Sequence, residues 1–441
     1  MILNLARRSD EVHLFIAQCR SASSSLIFQG MTNVYKSLFS CILGIMIASG
    51  NPITLKKELL DIVRKKLKKK ELDIARNDWH AKRRPIGCGL TIHPGVGCPL
   101  QCSYCYIYDM GFYKYATPYS LSGLQLVVAL LYNKYFYPTI WGTYLAFGSV
   151  TEPFLPNITV KTLEYLKAIT EYLGNPCQVS TKMALRDEVI DELSSIKNLK
   201  LSVLVTLTSL HQYRSLEQKA PDPYDRLDFI KRLRKKGFKP FIFLRPLLPG
   251  LRIEEIDELI DQAKIAGAYG IVLGNLRLSI NIVKRLVEHG LDVKELKKIV
   301  NVNNLKKGFI DIRVNGELFS SIRKRALEKG LIFLRRACCA NTVTQYLHGL
   351  NEVICPTLCF LSKDACDPAC PSQCRTKALG EPKHLDMNDV IKALLEFDEY
   401  KAEIEGYTMI IKPRRKVKDA KFISLVLSHL LRRKVLIKDE D

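Results

Sequence analysis

The sequence has few acidic residues for its length and no long apolar run. Acidic side chains number 45 against 67 lysines and arginines, which gives a formal net charge of +22 over 441 residues. The longest apolar run near the start, residues 38–49, is shorter than the roughly 20 residues that a membrane-spanning helix needs. A secretory signal, with its basic start, apolar middle and small-residue cleavage site, is also lacking. These absences predict a cytoplasmic protein with no membrane association.

The composition excludes a disordered or fibrous chain. The hydrophobic fraction of 47% and the charged fraction of 25% are typical of a globular protein, and the length predicts two or three domains. The excess of basic residues favours a polyanionic partner such as nucleic acid. A basic surface that is merely solvated explains the charge equally well, and neither end of the chain carries a recognised RNA- or DNA-binding motif.

Ten of the 14 cysteines are concentrated in two short stretches. A chain of this length does not need disulfides to staple a small core, so clustered cysteines favour metal binding in a reducing compartment. Four others are scattered, and we interpret them as small core residues: Cys19, Cys41, Cys88 and Cys177.

The chain divides into four segments by pattern. Residues 1–85 are a basic, helical N-terminal extension whose translation start is uncertain, and residues 86–300 are a core domain. Residues 301–384 are a cysteine-rich metal-binding region of α+β type, and residues 385–441 are a basic tail. Outside the core, basic residues concentrate at 65–70, 82–84, 414–416 and 432–434.

Strand and helix patterns alternate six times between residues 88 and 289. Short apolar runs predict strands, and a 3.6-residue period predicts helices. Such alternation predicts parallel strands with right-handed crossovers, in an open sheet or a barrel with its active site at the carboxyl ends of the strands. The predicted strands are 88–93, 144–149, 178–181, 199–208, 239–245 and 270–276; the helices are 121–136, 158–173, 186–196, 224–236, 253–266 and 280–289. A strand over 309–314 and a helix over 318–329 follow.

The loop after the first predicted strand contains Cys98, Cys102 and Cys105. Thiolates are the natural ligands of iron–sulfur clusters and of zinc. A closed zinc site needs four ligands, and the nearest additional candidate, His93, lies at a strand end where packing or hydrogen bonding is the commoner role. Three cysteines suffice for three irons of a cubane and leave the fourth iron open to a substrate or cofactor. The spacing therefore favours a 4Fe–4S cluster.

This pattern, Cys-x-x-x-Cys-x-x-Cys with the aromatic Tyr106 next, resembles the signature of the radical S-adenosylmethionine (SAM) superfamily. Its place after the first strand of six β–α units resembles that superfamily's partial (β/α)6, TIM-like barrel. Residues 88 to about 280 resemble more narrowly the spore photoproduct lyase-like branch, which includes a DNA-repair enzyme. The stretches that carry this likeness are 148–153, 180–182, 186–187, 206–208, 217–226 and 245–250.

The resemblance implies a 4Fe–4S enzyme that reductively cleaves SAM to methionine and a 5′-deoxyadenosyl radical, which takes a hydrogen atom from a substrate. It also implies an electron donor such as ferredoxin or flavodoxin. Tyr106 matches the aromatic beside the adenine, Gly148 and Ser149 match the strand that meets the SAM amino group, and Lys182 and Thr206 match positions that bind the SAM carboxylate. Read without the resemblance, Lys182 is an exposed strand-end lysine and Thr206 is an ordinary strand residue.

Two further features qualify the resemblance. Glu217 and Arg226 are interpreted as an ion pair between a loop and a helix. The lyase has a cysteine just before the glycine of its strand, which returns hydrogen to the product, whereas this chain has Phe147 there. A phenyl ring cannot donate hydrogen as a thiol does, so we expect a different reaction on the same scaffold, and no catalytic residue is assigned.

The second cysteine stretch has spacings typical of metal ligands and several prolines that favour loops. An auxiliary Fe–S cluster and a structural zinc site both remain open, because four thiolates satisfy tetrahedral zinc. Its cysteines are Cys338, Cys339, Cys355, Cys359, Cys366, Cys370 and Cys374.

Three functions remain in competition. The first is a radical SAM enzyme acting on nucleic acid, in repair or modification. The second is a non-enzymatic, metal-stabilised nucleic-acid-binding protein, in which both cysteine groups are structural. The third is a radical SAM enzyme acting on a protein or peptide. The loop position of the first three cysteines and the strand-end residues favour radical chemistry.

Overall fold

The structure is a computed structural model. It describes residues 52–86, 89–292, 294–296, 305, 308–351, 355, 366–372, 374 and 386–438. The predictions for residues 1–51 and for Cys88 and Cys359 lie outside the described residues. Within the described part, none of the helices is long and apolar enough to cross a membrane.

The helices and strands are numbered here in chain order. The helices are α1 Pro52–Val63, α2 Lys69–Asn77, α3 Trp79–Lys82, α4 Gly123–Tyr132, α5 Thr159–Tyr172, α6 Asp187–Ser195, α7 Tyr213–Leu216, α8 Pro223–Lys235, α9 Ile253–Ile265, α10 Ile280–Glu288, α11 Gly316–Glu328, α12 Ala337–Leu347, α13 Met387–Leu395 and α14 Ala420–Leu430. The strands are β1 Leu90–Ile92, β2 Gly95–Val96, β3 Thr117–Pro118, β4 Leu145–Phe147, β5 Cys177–Thr181, β6 Leu201–Thr206, β7 Phe241–Leu244, β8 Gly270–Leu273, β9 Leu276–Leu278, β10 Ile310–Ile312, β11 Ile332–Leu334, β12 Tyr400–Glu405, β13 Thr408–Pro413 and β14 Lys434–Ile437.

A seven-stranded parallel sheet in the order β1-β4-β5-β6-β7-β8-β11 forms the centre of the molecule. Strands that are joined by crossover helices run parallel, because each helix returns the chain to the end of the sheet at which the preceding strand began. The α/β prediction of a partial, TIM-like barrel is confirmed, and each of the six predicted strands and helices of the core is present. All seven strands therefore end at one edge, where their carboxyl-end loops meet.

The two faces of this sheet are covered differently. Alternate strand residues such as Val179, Val203 and Ile271 belong to the large buried core that the crossover helices share. Residues of opposite parity, including Leu204, Phe241 and Val272, pack instead against Ala340 and Val343 of α12. Such alternation follows from the two-residue period of a strand. The buried Cys177 is a core residue, as predicted.

The sequence reasoning missed β11 and α12, whereas the strand predicted over 309–314 is present. That strand is β10, and it pairs antiparallel with β9 outside the central sheet. The seventh strand, β11, is only three residues long, which is too short to show a period. Helix α12 is buried along most of its length, so it lacks the polar face that marks an amphipathic helix.

The two ends of the described chain pack onto the core. Helices α1–α3 lie against α4, and the last segment forms a sheet, β12-β13-β14, with α13 and α14. Ile53, Tyr135 and Tyr137 share the apolar core of this last segment. Two of its basic residues, Arg432 and Arg433, are buried, so they do not belong to a solvated basic surface.

Candidate active site

The cysteine loop has its shape fixed by backbone contacts. Gly97 has a φ of +83°, and a Cβ there would lie 2.0 Å from the Tyr115 carbonyl oxygen, so only glycine fits. The next residue, Cys98, donates its N–H to the Tyr113 carbonyl at 3.1 Å. Tyr108 donates its hydroxyl to the Cys98 carbonyl at 2.9 Å. These contacts set the direction in which the loop leaves β2.

Arg285 of α10 anchors the other half of the loop. Its guanidinium donates to the carbonyl oxygens of Ser103 at 3.1 Å and Cys105 at 2.7 Å. It also forms an ion pair with Asp109 at 2.8 Å. The planar fork of an arginine suits such a set of acceptors. The loop is thereby tied to the helix of the sixth β–α unit.

The three thiols are well shielded from water. Burial raises the pKa of the Cys98 thiol to about 11 and also raises the pKa of Cys102 and Cys105. Cationic Lys182 opposes this effect at all three. Among the described residues, the only group of three metal-ligand atoms within 4.8 Å of one another is formed by other cysteines, Cys338, Cys339 and Cys355. The sulfur atoms of the three loop cysteines are therefore spread more widely than the ligands of a single ion. That spread, and the thiol donor set, fit a cluster that places each cysteine on a different iron.

Tyr106 and the end of β4 meet directly. The Tyr106 hydroxyl donates to the carbonyl oxygen of Ser149 at 2.8 Å. Gly148 has a φ of +94°, and a Cβ there would lie 2.7 Å from the Ser180 carbonyl oxygen. The structure thus brings together three residues that the sequence assigned to the cofactor, and the backbone at Gly148 has no room for a side chain.

Sequence reasoning missed a polar network behind Ser149. The Ser149 hydroxyl lies 3.4 Å from Nδ1 of His93, whose Nε2 lies 3.0 Å from Arg83. The backbone N–H of His93 donates to His80 at 3.2 Å, and the other nitrogen of His80 lies 2.7 Å from Asp78. Burial, then His80 and Arg83, lowers the pKa of His93 to about 3, so its imidazole is neutral at neutral pH.

The outer part of this network comes from the N-terminal extension, which the sequence had treated as a basic helical segment: Asp78, His80 and Arg83. The ring of Trp79 stacks on that of His93 at 5.0 Å, and the Arg83 guanidinium lies 4.0 Å from the Trp79 ring centre. In the sequence, the only signal of this network was an adjacent tryptophan and histidine before the first strand. Helix α3 therefore forms one wall of the site.

Lys182 lies just beyond β5 among acidic and thiol groups. Burial acts to lower the pKa of Lys182, but Cys102, Glu217 and Glu152 raise it above the ordinary lysine value. Its backbone N–H donates to Glu152 at 2.9 Å, and the same carboxylate accepts from Thr181 at 2.5 Å. The ammonium lies 5.4 Å from the Tyr104 ring centre. These contacts direct it toward the cysteine loop, unlike a solvated strand-end lysine.

Glu217 and Arg226 form the predicted ion pair, and both are fully buried. The Arg226 Nη1 lies 2.6 Å from the Glu217 carboxylate and 2.9 Å from the Thr206 carbonyl oxygen. Tyr104 and Thr208 both donate hydroxyls to Glu217. The pair therefore links the cysteine loop to the end of β6, where Thr206 is buried as the last strand residue.

The second cysteine group lies at the opposite edge of the sheet. Cys338 and Cys339 open α12, and that helix bonds through Thr344 to Ser202 near the start of β6 at 3.2 Å. Thr342 bonds to Tyr144, the residue before β4, at 3.0 Å. Cys370 and Cys374 lie beside Ser372 at 3.0 and 3.3 Å. Cys366 donates to the Asp367 carbonyl at 3.8 Å.

A parallel α/β barrel whose first carboxyl-end loop holds three cysteines, two of them buried and one half-buried, defines the class of radical SAM barrels. Residues 92–263 match the family model of the radical SAM superfamily. These residues form a radical SAM domain, which indicates a radical SAM enzyme. A comparison with curated protein sequences found no match.

Solved structures with a similar fold include two forms of spore photoproduct lyase. The complex with a dinucleoside spore photoproduct is 18% identical over 55% of this chain and 74% of that chain, with a TM-score of 0.41. A point mutant of the same lyase is 18% identical over 61% of this chain and 86% of that chain, with a TM-score of 0.43. Streptococcus suis SuiB bound to its precursor peptide SuiA is 14% identical over 72% and 57%, with a TM-score of 0.37. The assignment of class rests on the domain match and the cysteine loop.

Proposed function

We propose that this radical SAM enzyme takes a hydrogen atom from a nucleic acid, in a repair or modification reaction. The observation that carries the proposal is a group of three arginines around Tyr106 at the carboxyl-end mouth of the barrel. They are Arg83, Arg245 and Arg277, and they come from the N-terminal extension, the end of β7 and β9 respectively.

Each arginine acts on Tyr106. The Arg277 guanidinium lies 5.7 Å from the Tyr106 ring centre. Burial raises the pKa of Tyr106, and Arg245 and Arg277 oppose that rise. Burial lowers the pKa of Arg83 to about 10, and Tyr106 acts against that change. Asp311 neutralises part of this charge through contacts of 2.8 and 3.1 Å to Arg277. Guanidinium groups bind phosphate with two parallel hydrogen bonds, so this mouth suits a phosphodiester backbone.

The residues of the site have distinct tasks in this proposal. Cys98, Cys102 and Cys105 would hold the cluster, with a one-electron donor of the ferredoxin or flavodoxin class as its reductant. When bound, the cluster and SAM supply the 5′-deoxyadenosyl radical. Tyr106 supports the adenine, and the close backbone at Gly148 and Ser149 receives the SAM amino group.

Lys182 supplies a positive charge for the SAM carboxylate, and Thr206 lies at the neighbouring strand end. The neutral imidazole of His93 holds the Ser149 hydroxyl in place. Phe147, the buried last residue of β4, offers no hydrogen to a product radical. The reaction we propose therefore ends without hydrogen return from that position.

The test is the origin of the hydrogen in 5′-deoxyadenosine. Reduced enzyme and unlabelled SAM are incubated without oxygen with RNA, DNA or protein fractions from cells grown in deuterated medium. Mass spectrometry then measures deuterium in the 5′-deoxyadenosine. Transfer from RNA or DNA supports the proposal, whereas transfer from the protein fraction alone overturns it in favour of a peptide substrate. The variant with all three loop cysteines changed to Ala is the blank.

Arginine variants test whether nucleic acid binds at the mouth of the barrel or at basic charge anywhere on the surface. Arg245→Ala with Arg277→Ala should weaken the binding of a single-stranded oligonucleotide, because contacts to phosphate are lost. The slope of log affinity against log salt should also become shallower by about 0.7 for each lost contact. Lys324→Ala removes an exposed charge of α11 and is the control. Equal binding by the double arginine variant and the control would remove the support that the mouth gives to a nucleic acid substrate.

A further inference from the structure

The second cysteine group has the geometry of a single-ion site. The sulfur atoms of Cys338, Cys339 and Cys355 all lie within 4.8 Å of one another. The sulfur atoms of Cys338 and Cys355 are 3.9 Å apart. Thiolates around one tetrahedral zinc at about 2.3 Å lie roughly 3.8 Å from one another. The observed distance between the sulfur atoms of Cys338 and Cys355 matches that value closely.

An iron–sulfur cubane requires a wider arrangement. It places each cysteine on a different iron atom, so the ligand sulfurs lie farther apart than around one ion. Three sulfurs within 4.8 Å leave no room between them for such a cluster. The first cysteine loop does not show this close grouping. The two cysteine sites of the chain therefore differ in the kind of metal they suit.

A fourth thiol is at hand in the segment that follows. Cys355 donates its backbone N–H to the sulfur of Cys374. Ser372 lies 3.0 Å from the sulfur of Cys370 and 3.3 Å from that of Cys374. Asp367 holds this segment against α11 through contacts of 2.6 and 2.9 Å to Arg323. These contacts make Cys370 and Cys374 the candidates for a fourth ligand beside the close group of three.

The position of the first two ligands favours thiolates. Cys338 and Cys339 are the second and third residues of α12, where the helix dipole stabilises negative charge. Four thiols lose four protons on binding a divalent ion, so the complex has a net charge of −2. The burial of Cys338 and Cys355 limits access of water to that complex.

We propose that Cys338, Cys339 and Cys355, with a fourth thiolate from Cys370 or Cys374, hold one structural zinc ion. The ion ties α12 to the two segments that follow it. Because α12 covers the inner face of the sheet through Val343 and Ala340, the zinc fixes the helix that closes the amino end of the barrel. This site is independent of the SAM-binding end and of the identity of the substrate.

Metal analysis of one variant provides the test. Changing Cys98, Cys102 and Cys105 to Ala removes the first site, and the purified protein is then assayed for zinc, iron and acid-labile sulfide. One zinc per chain without sulfide supports the proposal. Iron with sulfide, or a Cys338–Cys355 disulfide without metal, overturns it. This outcome does not depend on SAM turnover, so its failure is distinct from failure of the proposed function.

Cobalt substitution and single variants define the ligands. Co²⁺ bound in the same background should give the visible absorption of a tetrahedral site with thiolate charge-transfer bands. Cys355→Ser should abolish the bands, and Cys366→Ser, a cysteine of the same segment outside the close group, should leave them unchanged. One of Cys370→Ser and Cys374→Ser should lose them, and retention in both would overturn the ligand set. Where a variant does not fold, the metal content of the parent remains decisive.

Discussion

Tyr106 donates a 2.8 Å hydrogen bond to the carbonyl oxygen of Ser149. This contact joins the cysteine loop to the strand end that meets the SAM amino group in our proposal. Tyr106→Phe removes one hydrogen bond between neutral groups, worth about 0.5–1.5 kcal/mol, so SAM affinity should fall about twofold to tenfold. Tyr106→Ala also removes the ring and should weaken binding further.

Anaerobic calorimetry with reconstituted protein measures both variants. Tyr113→Phe is the matched control, because Tyr113 is an exposed tyrosine of the same loop. The prediction fails if the two Phe variants bind SAM equally well.

Gly148 and Gly111 provide a matched pair of glycines. Both have a positive φ, so alanine is strained at either position by about 1–2 kcal/mol. A Cβ at Gly111 meets nothing within 4 Å, whereas one at Gly148 lies 2.7 Å from the Ser180 carbonyl oxygen.

Gly148→Ala should therefore lower both the melting temperature and the SAM affinity, and Gly111→Ala should lower only the former. Thermal unfolding and SAM titration distinguish the two effects. Normal SAM binding by Gly148→Ala would show that the backbone there does not approach the cofactor.

Lys182 is the cation that opposes the rise in pKa at all three loop thiols, and we assign it to the SAM carboxylate. Losing one hydrogen bond to a charged group costs about 1.5–3 kcal/mol, or roughly tenfold to a hundredfold in affinity. Lys182→Ala should weaken SAM binding by that factor without unfolding the barrel. Lys197→Ala, an exposed lysine after α6, should have no effect. Unchanged affinity in Lys182→Ala would mean that another group binds the carboxylate.

The buried pair of Glu217 and Arg226 predicts a dependence of stability on pH. Burial acts to raise the pKa of Glu217, but Arg226 and Lys182 hold it below its usual value. Since the folded pKa lies below the unfolded one, the pair stabilises the protein above the unfolded pKa of about 4.3 and loses this effect as the pH falls through the folded pKa.

Removing one partner should be costly. Arg226→Met leaves a buried carboxylate without its cation and should lower the free energy of unfolding by about 3–5 kcal/mol. Glu217→Gln combined with Arg226→Met should recover part of that loss and flatten the acid limb of the stability profile. Urea unfolding between pH 3 and 7 measures both. If the free energy of unfolding falls as steeply at acid pH in the double variant as in the native protein, the titrating group is not Glu217.

The sequence predicted the core well because its signals are local. Each crossover helix has one apolar face, and each strand is a short apolar run, so six β–α units could be read in order. The cysteine loop was likewise readable from three residues and their spacing. The parallel pairing then brings Tyr106, Ser149 and Lys182 to one edge, although they lie far apart in the chain.

The missed features depend on long-range contacts. Helix α12 is buried on several sides by strands that precede it, and no period in its own sequence reveals this. The contacts of His93 with His80 and with Ser149 join the N-terminal extension to the second β–α unit. The single-ion geometry of Cys338, Cys339 and Cys355 likewise arises only after folding, since spacing alone left both zinc and an iron–sulfur cluster open, with a slight preference for the cluster.

The basic flanks lead to a last prediction, on polyanion binding. Arg414, Arg415 and Lys416 are exposed beyond β13, whereas Arg432 and Arg433 are buried. Removing the whole last segment would also remove an apolar core shared with Tyr135 and Tyr137, so substitution is the sharper test. Changing residues 414–416 to Gln should flatten the plot of log affinity against log salt for single-stranded RNA by about 2, because each lost phosphate contact contributes about 0.7.

Changing Lys264, Lys284 and Lys324 to Gln removes the same charge from exposed positions in and around the barrel and is the control. Salt titrations with RNA, DNA and heparin measure both variants. If residues 414–416 form a specific binding site, the slope of log affinity against log salt should be smaller for the 414–416 variant alone. The reason is that only charges in contact with phosphate release counterions. Equal slopes for both variants with all three polyanions would mean that the charge is a general property of the surface and not a binding site.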